Sequence, residues 1–182
     1  MTEAFAAVAA LVRDSTARIV DGRGRGAGAC IVWGDRRTVV TSAHVVRGLR
    51  AAVQFRDGSW FEARIKERDE QVDLAVLRLP DVAPAPPCAV GDSATLRTGE
   101  FVFAVGDPLG LAGAISTGIV QRRGARFVVA DLCLLPGNSG GPLADARGGV
   151  VGINSMVANG LALAIPSEVV RSFLRAAGTL AA

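Results

Sequence analysis

The sequence has few of the residues with which proteins bind metals, cofactors and nucleic acids. It contains one histidine, three cysteines and no tyrosine, and aromatic residues make up 5% of its 182 residues. One histidine and cysteines that are far apart in the sequence cannot supply the ligands of a zinc site, so we expect no metal and no cofactor. The net charge is +3, but the basic residues are scattered, which argues against a nucleic-acid interface.

The sequence also lacks a long apolar run. None of its segments approaches the ~18–20 consecutive apolar residues that cross a bilayer, so we expect no membrane partner. An apolar stretch begins at Ala4, but Glu3 stands where a signal peptide would carry a basic residue. Four apolar residues instead fall on one face at helical spacing, which predicts a short amphipathic helix over residues 1–15. These are Phe5, Val8, Leu11 and Val12.

The rest of the chain is dominated by short segments of strand character separated by turn residues. Pro80 and three prolines inside the segment 81–99, at positions 84, 86 and 87, interrupt this pattern, so the segment predicts a linker. Six candidate strands lie before it, in residues 16–80, and six after it, in residues 100–166. The pattern predicts an all-β protein of two antiparallel six-stranded Greek-key barrels. A closing helix is predicted over 167–182, with Ser167 as its N-cap.

The segment Pro136–Leu143, PGNSGGPL, has the composition of a site for nucleophilic catalysis. A catalytic serine needs an exposed hydroxyl on a tight turn, with backbone N–H groups directed at the developing oxyanion. Glycines on both sides of Ser139 allow such a turn and the close approach of a substrate. A glycine-rich hairpin without catalytic function would have a similar composition.

The single histidine and one aspartate supply the partners that such a serine needs. His44 follows a predicted strand, in TSAHVV, where a general base could reach the serine. Asp73 lies in the apolar segment VDLAVL, predicted as the strand 72–79, where an unpaired carboxylate would be costly. Asp69 lies nearby in a charged loop and is the alternative. The chain order His, Asp, Ser is that of chymotrypsin-type proteases.

These segments resemble the signature motifs of the HtrA/DegP family of serine proteases. The resemblance rests on TSAHVV, VDLAVL and GNSGGPL, and also on GDPLG with STGIV, which begin at Gly106 and Ser116. It covers roughly residues 17 to 170 and includes no PDZ domain. It implies a chymotrypsin-like, trypsin-like protease unit that hydrolyses polypeptides, with His44, Asp73 and Ser139 as the catalytic triad.

The resemblance also implies which residues surround the substrate. The oxyanion hole would comprise residues 137–139, namely Gly137, Asn138 and Ser139, with the N–H groups of the first and last as donors. The base of the S1 pocket would be Cys133, followed by Leu134, with Ser155, Met156 and Val157 as the wall and Gly160 opposite. A small apolar base predicts cleavage after small or medium aliphatic residues. Asp131, which strand alternation would give the same facing as Cys133, is the competing idea and would favour basic residues.

Two rival functions and the setting of the protein stay open at this point. The chain could be a latent protease that needs a partner to form its oxyanion hole, or a non-catalytic binding module with a protease fold. Relatives suggest a homo-oligomer, and a separate targeting partner is the other option. Val45 and Val46 follow the histidine where secreted trypsins carry a disulfide, so we expect a cytoplasmic protein, or a periplasmic or secreted one if a leader was removed.

Overall fold

The computed structural model describes residues 2–20 and 26–179 and contains two helices and twelve strands there. Helix α1 spans Thr2–Asp14 and helix α2 spans Ser167–Ala176. The first six strands are β1 Thr16–Val20, β2 Gly26–Val32, β3 Thr38–Thr41, β4 Arg50–Gln54, β5 Trp60–Asp69 and β6 Leu74–Arg78. The other six are β7 Phe101–Gly106, β8 Ala114–Arg123, β9 Val128–Ala130, β10 Pro142–Asp145, β11 Val150–Ala158 and β12 Leu161–Pro166. Neither helix is long and apolar enough to cross a bilayer.

The strands form two closed antiparallel barrels. The first has the order β1-β2-β3-β6-β5-β4 and closes by pairing β1 with β4. The second has the order β10-β11-β12-β9-β8-β7 and closes by pairing β10 with β7. The alternation of apolar and polar residues along these strands puts one face of each into a barrel interior. The predicted fold class is therefore confirmed.

Each barrel has its own apolar core, and a third apolar cluster joins the two barrels. Trp33 and Leu74 of the first barrel pack with Ile153 of the second, and Val170 and Leu174 of α2 complete the cluster. All five side chains are almost completely buried. Burying a Leu or Ile side chain contributes about 1.5–3 kcal/mol, so this cluster fixes the barrels against one another. The cleft between barrels is consequently a rigid place for a site built from both.

Three local predictions were wrong. Asp73 is not inside a strand, because β6 begins at Leu74 and Asp73 lies in the preceding turn with φ 60°. Strand β9 ends at Ala130, so Asp131 and Cys133 lie outside it and strand alternation does not relate them. Ser167 is the first residue of α2, and its N-cap is Pro166; the Ser167 hydroxyl donates to the Gly91 carbonyl at 2.9 Å.

Candidate active site

Strand pairing in the first barrel brings His44 and Asp73 together. His44 lies in a 3₁₀ turn, Ala43–Val45, that follows β3, and Asp73 lies in the turn that precedes β6. Strands β3 and β6 are neighbours with Thr41 opposite Ala75, so the two turns emerge side by side. The Ala43 N–H donates to the Asp73 carbonyl at 3.1 Å and ties the turns together.

The imidazole of His44 is held by the carboxylate of Asp73. His44 Nδ1 lies 2.9 Å from Oδ1 and 3.0 Å from Oδ2 of Asp73, and the His44 backbone N–H also donates to Oδ1 at 3.1 Å. The hydrogen bond to Asp73 raises the pKa of His44 above its ordinary value of 6.5, although partial burial opposes this. The carboxylate therefore stabilises the imidazolium and directs Nδ1 toward itself.

Ser155 supplies a further hydrogen bond to Asp73. The Ser155 hydroxyl donates to Asp73 Oδ2 at 2.5 Å. Burial raises the pKa of Asp73, but the hydrogen bonds from His44 and Ser155 outweigh it and hold the pKa below the ordinary 3.8. Asp73 is thus an ionised carboxylate at neutral pH. Sequence could place Ser155 on the wall, but only the fold brings it to the carboxylate.

Ser139 lies between the barrels, in the loop before β10. Its carbonyl accepts a hydrogen bond from Ala29 N of the first barrel at 2.8 Å. Its hydroxyl donates to the Ser155 carbonyl at 3.2 Å, and this carbonyl, not the imidazole of His44, is its partner among residues 2–20 and 26–179. The hydroxyl must give up this hydrogen bond before it can donate to an imidazole nitrogen.

The glycines around Ser139 are required by the backbone. Gly137 has φ +106°, and a Cβ there would lie 2.1 Å from the Asp107 carbonyl oxygen. Gly140 has φ +83°, and a Cβ there would lie 2.0 Å from Oγ1 of Thr41. Both positions therefore exclude any other residue.

Within residues 137–141 of this loop, the backbone N–H groups of Gly137 and Ser139 lack an acceptor in the part of the chain that the structure describes. The Asn138 N–H donates to the Leu135 carbonyl at 3.0 Å and closes a turn. Asn138 is consequently not a donor toward a substrate. The arrangement leaves two donors available to an oxyanion.

The segment expected to form the base of the S1 pocket is irregular. Cys133 is exposed, while Leu134 is half-buried against the core of the second barrel. Asp131 pairs with β8, where its N–H donates to the Ile119 carbonyl at 3.0 Å and its carboxylate accepts from the Ile119 N–H at 3.3 Å. The carboxylate of Asp131 is thus engaged by a strand.

The predicted wall lies on β11, but the residues across from it are not those expected. Met156 and Val157 are 44% and 49% exposed. The strand pairing puts Leu163 opposite Met156 and Ala162 opposite Val157. Gly160 is not opposite them, because it occupies the turn at the end of the β11–β12 hairpin, with φ +78°.

A cavity of about 690 Å³ lies on the first-barrel side of His44. Its walls include Val45, Arg47, Arg50 and Glu62. His44 is itself part of the cavity lining, so the cavity opens beside the histidine.

The chain is similar in sequence to known serine proteases. The family model of the trypsin-like peptidase domain matches residues 28–153. The chain is 38% identical over 161 residues to the serine protease HTRA1A of Danio rerio, covering 81% of this chain and 34% of that protein. It is 39% identical over 150 residues to the human serine protease HTRA4, covering 75% of this chain and 32% of that protein. The chain thus spans about a third of the length of these curated relatives.

Solved structures show the same fold. The chain matches the HtrA-type protease AlgW with a decapeptide at a TM-score of 0.84 and 25% identity, covering 95% of this chain and 67% of that one. It matches AlgW with a tripeptide at a TM-score of 0.86 and 27% identity, covering 94% of this chain and 62% of that one.

Proposed function

This chain belongs to the trypsin-like peptidase family as an HtrA-like, chymotrypsin-fold domain, and we propose that it is a serine endopeptidase acting through an acyl-enzyme at Ser139. The observation that carries the proposal is the hydrogen bond between His44, the single histidine of the sequence, and the largely buried carboxylate of Asp73. The third residue, Ser139, lies in a glycine-rich turn. The substrate is polypeptide. The proposed hydrolysis uses protein side chains and water and calls for no cofactor.

In this mechanism His44 is the general base and then the general acid. Its Nδ1 is bonded to Asp73 at 2.9 Å, so Nε2 is the nitrogen left to accept the Ser139 proton. The Ser139 hydroxyl leaves the Ser155 carbonyl and attacks the scissile carbonyl carbon. His44 then returns the proton to the departing amine, and water repeats the sequence to release the acyl group.

The Gly137 and Ser139 N–H groups stabilise the tetrahedral oxyanion. Both are free of protein acceptors in the described residues and belong to a loop whose backbone is fixed by close packing. Donors that are held in place before the reaction stabilise the transition state more than the ground state. This role is limited to these two residues because the Asn138 N–H is occupied.

Cleavage after small or medium aliphatic residues is the specificity that we propose. The apolar side chains of Met156 and Val157 stand exposed on β11, and Cys133 carries no charge. The engagement of Asp131 by the Ile119 N–H weakens the alternative of a basic preference. A peptide library tests this: cleavage mainly after Val, Ala, Ile or Leu supports it, while cleavage mainly after Arg or Lys assigns the pocket to Asp131.

A latent protease is the second candidate, since the Ser139 hydroxyl donates to a carbonyl and not to the base. A fluorophosphonate probe separates the two candidates. Labelling at the same rate with and without an added unfolded polypeptide supports a competent enzyme. Labelling that depends on the added polypeptide supports latency. Loss of casein cleavage in Ser139→Ala, with an unchanged melting temperature, excludes a contaminating protease.

A further inference from the structure

The mechanism leaves one buried carboxylate without a role, that of Asp107. Its side chain is 2% exposed, and neither oxygen accepts a hydrogen bond within residues 2–20 and 26–179. A carboxylate removed from water without hydrogen bonds is costly unless a charge compensates it. A neutral residue at position 107 would avoid this cost, so the carboxylate calls for an explanation.

Asp107 is in direct contact with the proposed oxyanion loop. Its backbone N–H donates to the Gly137 carbonyl at 3.0 Å. Its own carbonyl oxygen would be only 2.1 Å from a Cβ at position 137, so the two backbones are in close contact. A shift of the Asp107 backbone would therefore move the Gly137 peptide, and with it one of the two oxyanion donors.

The charge that faces Asp107 comes from the other barrel. Nη1 of Arg18, on β1, lies 3.7 Å from Asp107 Oδ2, and Nε of Arg18 donates to Oε1 of Gln54 at 2.6 Å. Gln54 on β4 thus fixes the guanidinium from behind. Arg56 lines a second cavity together with Arg18 and Asp107, but it is paired with Asp14 at 2.8 Å.

The titration behaviour of Asp107 agrees with this arrangement. Burial raises its pKa, and the positive charge of Arg18 acts in the opposite direction. Arg18 is thus the group that favours the ionised form of Asp107 against the effect of burial.

We propose that Arg18 and Asp107 form a positioning pair that ties the oxyanion loop of the second barrel to the first barrel and fixes the Gly137 N–H toward the substrate. The inference rests on the proposed function. Neither residue touches the reacting atoms, so both act through Gly137. Without Arg18, the buried carboxylate would move toward water and carry the 107 backbone, and the Gly137 peptide, with it.

A double-mutant cycle tests the pair: Arg18→Gln, Asp107→Asn and both together, with Arg78→Gln as the control. Arg78, on β6 of the same barrel as Arg18, forms an exposed pair with Asp35. We expect Arg18→Gln to lower kcat by at least about tenfold with KM changed less than about threefold, because only transition-state stabilisation is lost. The double variant should recover most of this loss, since two amides are buried at less cost than one unpaired charge. The control should match the wild type.

A second variant and a second measurement distinguish misfolding of Arg18→Gln from failure of the proposed pair and from failure of the proposed function. Arg18→Lys keeps the charge and should retain activity even if Arg18→Gln folds poorly. The Gly137 amide resonance, followed by ¹H–¹⁵N NMR, should shift in Arg18→Gln but not in Arg78→Gln, and this readout needs no activity. Equal losses in Arg18→Gln and the double variant, or an unmoved Gly137 resonance, overturn the inference. If the wild type does not cleave the substrate but the Gly137 resonance still shifts in Arg18→Gln, the proposed function is contradicted and the positioning pair is not.

Discussion

Replacing Asp73 with asparagine tests the proposed triad at its orienting residue. Three donors converge on the carboxylate: the His44 backbone N–H, His44 Nδ1–H and the Ser155 hydroxyl. An asparagine offers one acceptor oxygen and one NH₂ group. If the oxygen stays with the backbone N–H, the NH₂ faces Nδ1 and forces the proton of the imidazole onto Nε2. In that tautomer His44 cannot accept the Ser139 proton.

The expected loss is about 10⁴ in kcat, which is the effect of this substitution in the general serine-protease triad. At 1.36 kcal/mol for each factor of ten, this corresponds to about 5 kcal/mol of transition-state stabilisation. The fold should survive, because asparagine has the shape of aspartate. KM should change little, since Asp73 lies behind His44 and has no predicted contact with substrate.

The assay is steady-state cleavage of a fluorogenic aliphatic peptide, with Asp69→Asn as the matched control. Asp69 Oδ1 accepts from the Gln71 N–H at 2.8 Å and from the Val72 N–H at 3.2 Å, so it caps the turn that leads to Asp73. Asparagine keeps an acceptor at that position, and the control should lose less than about threefold. Near-normal turnover in Asp73→Asn, with a large loss in Asp69→Asn, would transfer the orienting role to Asp69.

Three further outcomes are expected. The pH profile of kcat/KM should rise through one apparent pKa above 6.5, because bonding to the carboxylate raises the pKa of His44 and only its neutral form is a base; a flat profile between pH 5 and 8 contradicts this. Gly137→Ala should abolish labelling by a fluorophosphonate, since its φ of +106° and the carbonyl 2.1 Å from a Cβ leave no room; normal labelling would refute the loop geometry. Iodoacetamide should modify Cys133, which is exposed, far faster than the buried Cys30, whose pKa burial raises to about 12, and should slow peptide cleavage; unchanged cleavage with full modification would remove Cys133 from the S1 pocket.

The barrels were predictable because their signals are local. Short alternating runs and turn residues define each strand, and the prolines of segment 81–99 interrupt the pattern between the two sets. The sequence also singled out the residues proposed for the active site, since the single histidine and the glycine-rich octet left few choices.

Features set by tertiary packing were not predictable. The positive φ of Asp73 was missed because VDLAVL has the composition of a continuous strand, whereas in the fold Asp73 lies in a turn and its carboxylate is bonded to His44. The position of Gly160 in a hairpin turn, with Leu163 and Ala162 across from the wall, depends on a register shift between Asn154 and Met156. The proximity of Arg18 to Asp107 joins residues of different barrels, and no local pattern contains it.

The central claim is that Ser139 is a nucleophile activated by His44. The most direct measurement is the intact mass of the chain after exposure to a fluorophosphonate, followed by peptide mapping, in the wild type, Ser139→Ala and His44→Ala. The account predicts a single adduct, located on Ser139, absent from Ser139→Ala and formed at least about 10³-fold more slowly in His44→Ala. An adduct on another residue, or one that forms on Ser139 at an undiminished rate without His44, would contradict it.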